Sequence, residues 1–268
     1  MPSQVTCRGL LLRSFDYSDT SRIFRFLTSD RGIISLMGRG VRGRTARGEA
    51  PIQTFGEGWL TFSYQAGRDL HTLKEFQPEA GVGGLARDVT RFAGASLVAE
   101  LLLAHAVLEG GGTPEAGDPA LYDWVSRAVR SLGEVDAAAV AGWVLAGGWR
   151  TLAHLGFPPE TERCVHCGGE LAGAADQVDR FDVQGGGLVC PGCGEGTSLP
   201  RVGPGARADL RDLVQGSPPA VVRGSSQHLA LLEGFALHHL SPRSGFRSFE
   251  LVRSLFGTPV GPLETDPE

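Results

Sequence analysis

The chain lacks the short motifs of the common nucleotide- and metal-dependent enzymes. It has no Gly-x-x-x-x-Gly-Lys-Ser/Thr loop, no His-Glu-x-x-His and no Gly-x-Ser-x-Gly. P-loop phosphotransfer, helix-borne zinc hydrolysis and elbow-serine hydrolysis therefore have no support in its local sequence. No set of acids is spaced as a two-metal nuclease would require. The expectation is a protein that is not an enzyme. Long apolar runs are also missing. The richest stretch, residues 93–108, is interrupted by Ser96, Glu100 and His105 and falls short of the ~20 residues of a membrane span. The first residues, Met-Pro-Ser-Gln-Val, hold no basic patch ahead of an apolar core, so no export signal is expected. Lysine is nearly absent: 24 of the 25 basic residues are arginine, a bias that genome composition alone can produce.

What is present begins with cysteine. Four of the five form two short pairs, Cys164-Val165-His166-Cys167 and Cys190-Pro191-Gly192-Cys193, with twenty-two residues between them. Two Cys-x-x-Cys turns brought together offer four thiolates in a tetrahedron, the arrangement of a closed structural Zn2+ site. Each pair is followed by glycine (Gly168, Gly194), which suits a knuckle turn of positive φ. A redox dithiol is the competing reading, but neither pair sits in a strand-then-helix setting. The expected cofactor is one structural Zn2+ per chain, held by Cys164, Cys167, Cys190 and Cys193. Such a site keeps no open position for chemistry and leaves function undecided. His166 lies between two ligands and is not needed as one. Cys7 reads as a small buried hydrophobe. Cysteines in this pattern fit a reducing compartment, and the expected localisation is cytoplasmic.

A net charge of −5 argues against gross affinity for nucleic acid, but the charge is unevenly spread. Residues 1–80 carry eleven Arg/Lys against eight Asp/Glu, net +3; the remainder carries fourteen against twenty-two, net −8. Residues 31–50 hold Arg31, Arg39, Arg42, Arg44 and Arg47 against one acid, Glu49. A local basic segment on an acidic chain points to a polyanion more directly than the overall charge does. Its glycines let backbone approach a phosphate, and its arginines bind phosphate bidentately or stack on bases. The plain alternative is a solvated loop.

The first eighty residues read as β. Strands are expected over residues 5–13, 21–28, 33–37, 59–64 and 70–76, the fourth with clean alternation of Leu60, Phe62 and Tyr64 against Thr61 and Ser63. Five short strands suggest a small closed barrel, of which the OB-fold is the oligonucleotide-binding member. Residues 88–108, 120–132 and 137–155 read as helices with apolar stripes. A cysteine module spans about residues 163–200; it is too small to bury a core alone, so metal binding is expected to supply most of its folding energy. Helices follow at 205–215, 228–240 and 248–256. Gly81-Val82-Gly83-Gly84-Leu85-Ala86 matches a dinucleotide fingerprint, but no βαβ pattern follows, and it reads as a linker. The fold class expected is α+β: an N-terminal five-stranded OB-fold barrel and a helical C-terminal body with an inserted four-cysteine zinc module. The parts are residues 1–80, 81–162, 163–200, 201–257 and a frayed tail, 258–268.

This order of parts resembles one family, the bacterial recombination mediators of the RecO type. The resemblance is carried by Arg13-Ser14-Phe15-Asp16-Tyr17-Ser18-Asp19-Thr20-Ser21, and by Leu27-Thr28-Ser29-Asp30-Arg31-Gly32 followed by Gly38-Arg39-Gly40-Val41-Arg42. Pro51-Ile52-Gln53-Thr54-Phe55, Leu73-Lys74-Glu75, the two cysteine pairs and residues 246–257 complete it. Arginines stand where the family's basic loop usually carries lysines, which keeps the charge. The resemblance implies binding of single- and double-stranded DNA, annealing of complementary strands, and action with RecR to load RecA on strands coated by single-strand-binding protein. On this reading the DNA-binding residues are Arg39, Arg42, Arg44 and Arg47, with Arg31 and Lys74, and the protein is nucleoid-associated. The alternative is a zinc-stabilised protein-interaction scaffold without direct DNA contact.

Overall fold

The computed structural model describes residues 3–39, 52–80, 82–110, 116–171, 177–242 and 244–256. The architecture is α+β. Five strands, β1 (Ser3–Asp16), β2 (Arg22–Thr28), β3 (Gly32–Gly38), β4 (Glu57–Tyr64) and β5 (Leu70–Ala80), close in the order β1-β2-β3-β5-β4. All pairings are antiparallel except β3 with β5. This is the Greek-key barrel of the OB-fold. Its interior is filled from one side of the strands: Cys7, Leu11, Phe24, Phe26, Ile34, Leu36, Leu60 and Phe62 form a single cluster, and the partly buried Leu73 and Phe76 of β5 pack against it. Alternation makes this possible, since every second side chain of a strand faces the same way. Cys7 is a core hydrophobe as expected, and its thiol is pushed up to about 12, first by burial and then by Asp30.

By internal contacts the chain forms two compact units, one of residues 1–87 and 103–133 and one of residues 88–102 and 134–268. The first therefore contains the barrel together with helix α2 (Pro119–Glu134), which the sequence alone groups with the helical part. The tie is a buried carboxylate. Glu57 of β4, 6% exposed, accepts hydrogen bonds from Arg8 Nη2 at 3.0 Å, Tyr122 Oη at 2.9 Å and Arg130 Nη2 at 3.1 Å. Tyr122 and Arg130 both belong to α2, eight residues apart and so on related faces of the helix.

The second unit is built on α1 (Val89–Leu108, its first part), α3 (Val140–His154), α5 (Pro204–Gln215), α6 (Ser225–Leu240) and α7 (Arg247–Phe256). A small antiparallel sheet, β7-β6-β8, is formed by β6 (Asp179–Asp182), β7 (Gly187–Val189) and β8 (Arg201–Val202). Helix α1 is longer than the apolar run in the sequence and, by length and composition, could cross a membrane. Its Leu97, Val98, Leu101 and Leu102 are instead buried in protein. A Cβ at Gly147 of α3 would lie 2.8 Å from Val98, and one at Gly148 would lie 2.4 Å from Leu232 of α6; small residues there let three helices meet closely. Glu100 of α1 accepts from the backbone N–H of Arg247 at 3.1 Å and of Ser248 at 2.8 Å, and so caps the free donors at the start of α7.

The sheet is not an independent insert. Phe181 of β6 packs edge-on to Trp149 of α3 and to Phe235 of α6, with centroids 5.9 and 6.0 Å apart. Asp179, fully buried, pairs with Arg207 of α5 at 2.6 Å. The module, too small to bury a core alone, packs against the helices, which give it apolar contacts and a buried ion pair.

Glu57→Ala strips a buried carboxylate from three donors and is expected to cost about 3–5 kcal/mol in urea unfolding, against about 1 kcal/mol for Tyr122→Phe. His228 of α6 is fully buried, neither ring nitrogen has a partner among the described residues, and burial lowers its pKa to about 4. Between pH 6.5 and 4 the unfolded chain binds a proton that the folded chain refuses, so stability falls as pH falls. The loss between pH 6.5 and 5 is expected to be about 1.5 kcal/mol, and His228→Leu should abolish it.

Candidate metal centre and nucleic-acid interface

The two cysteine pairs meet at one point of the second unit. The four Sγ atoms of Cys164, Cys167, Cys190 and Cys193 all lie within 4.8 Å of one another, and Cys167 and Cys190 stand 3.9 Å apart. Four thiolates on a tetrahedral Zn2+ at ~2.3 Å are separated by ~3.8 Å, so the cluster fits such an ion, and the Cys167–Cys190 spacing is far too long for a disulfide.

The knuckles are built by backbone. Gly168 N donates to Cys164 O at 2.8 Å, and Cys164 N to Gly169 O at 2.8 Å. Gly168 adopts φ 73°, as its place after the first pair predicts. Gly194 does not. It closes the single helical turn α4 (Pro191–Gly194), and its lack of a side chain makes room: a Cβ there would lie 2.5 Å from Cγ of Arg180. The left-handed residue of that knuckle is Gly196, φ 71°. Burial opposes ionisation of Cys164, but backbone N–H groups of Cys190, Cys167 and His166 aimed at its sulfur outweigh it and lower the pKa to about 6. Hydrogen bonds that the Cys193 thiol donates to the sulfurs of Cys190 and Cys167 hold its pKa up to about 12. His166 is not a ligand: its Nε2 lies 2.8 Å from Asp182 Oδ2.

The expected DNA-binding residues belong to the barrel unit. Arg42, Arg44 and Arg47 lie outside the described residues. Arg39 is exposed directly after the end of β3, and Lys74 is exposed on β5, as the extra residue of a bulge between Leu73 and Glu75. Arg31 is at the other end of β3, roughly 25 Å of strand from Arg39. Its guanidinium lies over the ring of Tyr64, 4.7 Å from the centroid, and Tyr64 in turn stacks against His71 at 4.7 Å. The structure therefore does not bring Arg31 to Arg39.

Among the aromatics of β4, Phe62 is fully buried and Tyr64 packs on the barrel core. Trp59 faces outward, 43% exposed, but its Nε1 donates to Glu79 at 2.6 Å, a setting unfriendly to phosphate.

The feet of the segment between β3 and β4 are fixed. Gly38 pairs with Arg22, and Phe55, at φ 67°, donates to Leu11 O at 2.8 Å, while Leu11 N donates to Gly56 O at 3.0 Å. Both feet stand on the β1–β2 ribbon. Between them the register sets Arg13 opposite Arg25, a pairing hidden from sequence reasoning because it depends on a β-bulge at Leu12.

Comparison with known families agrees with this architecture. A family model described as recombination protein O, N terminal, matches residues 1–81, and one described as recombination protein O, C terminal, matches residues 86–241. The DNA repair protein RecO of Bacillus subtilis is 29% identical over 189 residues, 70% of this chain and 68% of that protein. That of Anaeromyxobacter dehalogenans is 29% identical over 256 residues, 92% of this chain and 95% of that protein. That of Rubrobacter xylanophilus is 30% identical over 210 residues, 77% and 79% of the two chains. With both halves matched, and with an OB-fold barrel ahead of a helical body, the chain belongs to the RecO family, recombination protein O.

Proposed function

We propose that this chain is a non-enzymatic recombination mediator of DNA repair, which binds single- and double-stranded DNA, anneals complementary strands and acts with RecR to load RecA on strands covered by single-strand-binding protein. The observation that carries this reading is the OB-fold barrel with an arginine-glycine segment rooted between β3 and β4. Membership of the RecO family and the names of its relatives, DNA repair proteins, support it. Residues 1–80 are then the DNA-binding domain, 81–162 and 201–257 the helical body, 163–200 the zinc module and 258–268 a tail. The site of action is the cytoplasm, at the nucleoid.

In this mechanism Arg39, Arg42, Arg44 and Arg47 neutralise phosphates, with Lys74 extending the track on β5 and Arg31 touching the strand at the far end of β3. Neutralising a phosphate releases condensed counterions, so binding weakens as salt rises. Replacing all four loop arginines by alanine is expected to weaken binding in a fluorescence titration and to lower the slope of log K against log salt by about 0.7–0.9 for each phosphate no longer neutralised. Unchanged affinity and slope would remove the loop from the mechanism. Absence of wild-type binding at micromolar protein would favour the scaffold reading.

The metal in this reading is one structural Zn2+ held by the four cysteines. Zinc here staples the two knuckles and takes no part in chemistry. Metal analysis is expected to give one zinc per chain, lost in Cys164→Ser. Purified protein with intact thiols, native stability and no metal would sink this assignment.

A further inference from the structure

The β1–β2 ribbon places two arginines against each other without an acid. Leu11 faces the barrel core opposite Phe26, and Ser14 stands opposite Phe24, another core residue. The register shift between Leu11 and Arg13 makes Leu12 an extra residue. Strict alternation from Leu11 would have turned Arg13 inward; the bulge turns it to the outer face, opposite Arg25. Like charges directly opposite in an antiparallel pair are destabilising. Among the described residues nothing relieves this pair: neither arginine has an acidic partner, and Nε of the half-buried Arg25 has no hydrogen-bond partner. Burial, and then the neighbouring Arg13, lower the pKa of Arg25. A bulge that re-aims a cation toward a desolvated, unpaired cation prepares a place for an anion.

The next rung on the same face is Phe15 opposite Ile23. Phe15 is 43% exposed, whereas Ile23 across the ribbon is 8% exposed. The ring thus lies at the surface beside the guanidinium pair. One rung further, Arg22 pairs with Gly38, from which the chain runs into Arg39. Arg22 itself is neutralised by Asp16 at 2.7 Å, which leaves Arg13 and Arg25, among the described residues, as the free cations of this ribbon.

We propose that Arg13, Arg25 and Phe15 form a nucleotide-binding patch for single-stranded DNA, in which the arginine pair holds a backbone phosphate and the Phe15 ring stacks on the adjoining base. The patch rests on the DNA-binding reading and extends the arginine track from its root at Arg39 onto the barrel wall. Phosphate neutralisation interleaved with an exposed ring is the chemistry by which single strands are held without sequence preference. A duplex can use the arginines but not the ring, because its bases are already stacked.

The test is a salt series of anisotropy titrations on labelled oligothymidine and on a duplex of equal length, with wild-type protein, Arg13→Ala, Phe15→Ala and Arg25→Gln. Arg13 and Phe15 are exposed, so their variants keep the fold even where Arg25→Gln disturbs it. Arg13→Ala is expected to lower the log–log salt slope by about 0.7 on the single strand. Phe15→Ala is expected to weaken single-strand binding by about fivefold or more with the slope unchanged, and to leave duplex binding intact. Wild-type binding with unaltered affinity and slope in both variants would overturn the patch alone. Equal losses for Phe15→Ala on both substrates would overturn its stacking role. No binding by the wild type would overturn the patch and the DNA-binding reading together.

Discussion

One strand closes the barrel. β1 pairs with β4 from Ser3 to Leu10 and with β2 from Gly9 to Asp16, so its fourteen residues change partner at mid-length. A strand that long must bend strongly, since edges on both sides must be satisfied within a closed ring. Two local features allow it. At Gly9, where the partners overlap, a Cβ would stand 2.2 Å from Leu60 Cδ1, so any side chain at the crossing must push Leu60 aside. At Leu12 the bulge adds twist and reverses the facing of every later residue. Closure in turn aligns Gly38 with Arg22 and Phe55 with Leu11, and so fixes where the arginine segment leaves the barrel and where it returns.

The second unit solves a different problem. Its cysteine knuckles and its short strands are too small to bury much surface by themselves. The sequence places them between α3 and α5, and the fold uses both neighbours: Phe181 fills a gap beside Trp149, and Asp179 meets Arg207. A buried ion pair of this kind adds little net stability but is costly to break. It ties β6 to α5. With the sheet docked, Val165 N bonds to Leu188 O and Cys190 N to Cys164 Sγ, and the two knuckles face each other. The gathering of the four cysteines rests on these hydrogen bonds and on the packing of the sheet against the helices.

Much of this is legible in the sequence for reasons that are local. Alternation of Leu60, Phe62 and Tyr64 against Thr61 and Ser63 announces β4, the stripe of Leu121, Trp124, Val125 and Val129 announces α2, and the Cys-x-x-Cys spacing announces the cluster, because each is set by the period of one element. What is not legible depends on pairing across distance. The bulge at Leu12 leaves no mark in composition, so Arg13 and Arg25 give no sign that they meet. Glu57 reads as an ordinary acid at a strand start, although three donors from other elements converge on it. Gly194 looks like Gly168 because both follow a Cys-x-x-Cys pair, yet Gly168 supplies a left-handed turn and Gly194 supplies space beside Arg180.

The use of arginine throughout the basic surface has a consequence for how such a surface acts. An ammonium group is strongly hydrated and behaves as a point charge, whereas guanidinium is planar, weakly hydrated and able to stack. Arg31 already lies over the ring of Tyr64, and Arg25 tolerates partial burial without a counter-ion among the described residues; lysine would suit neither place. A planar cation can hold a phosphate with its edge while its face meets a base or an aromatic ring. In the role proposed above, barrel-wall arginines would grip a strand and still let its bases slide past, because neither contact reads sequence; annealing requires this, since two strands must be held close while their bases remain free to find each other.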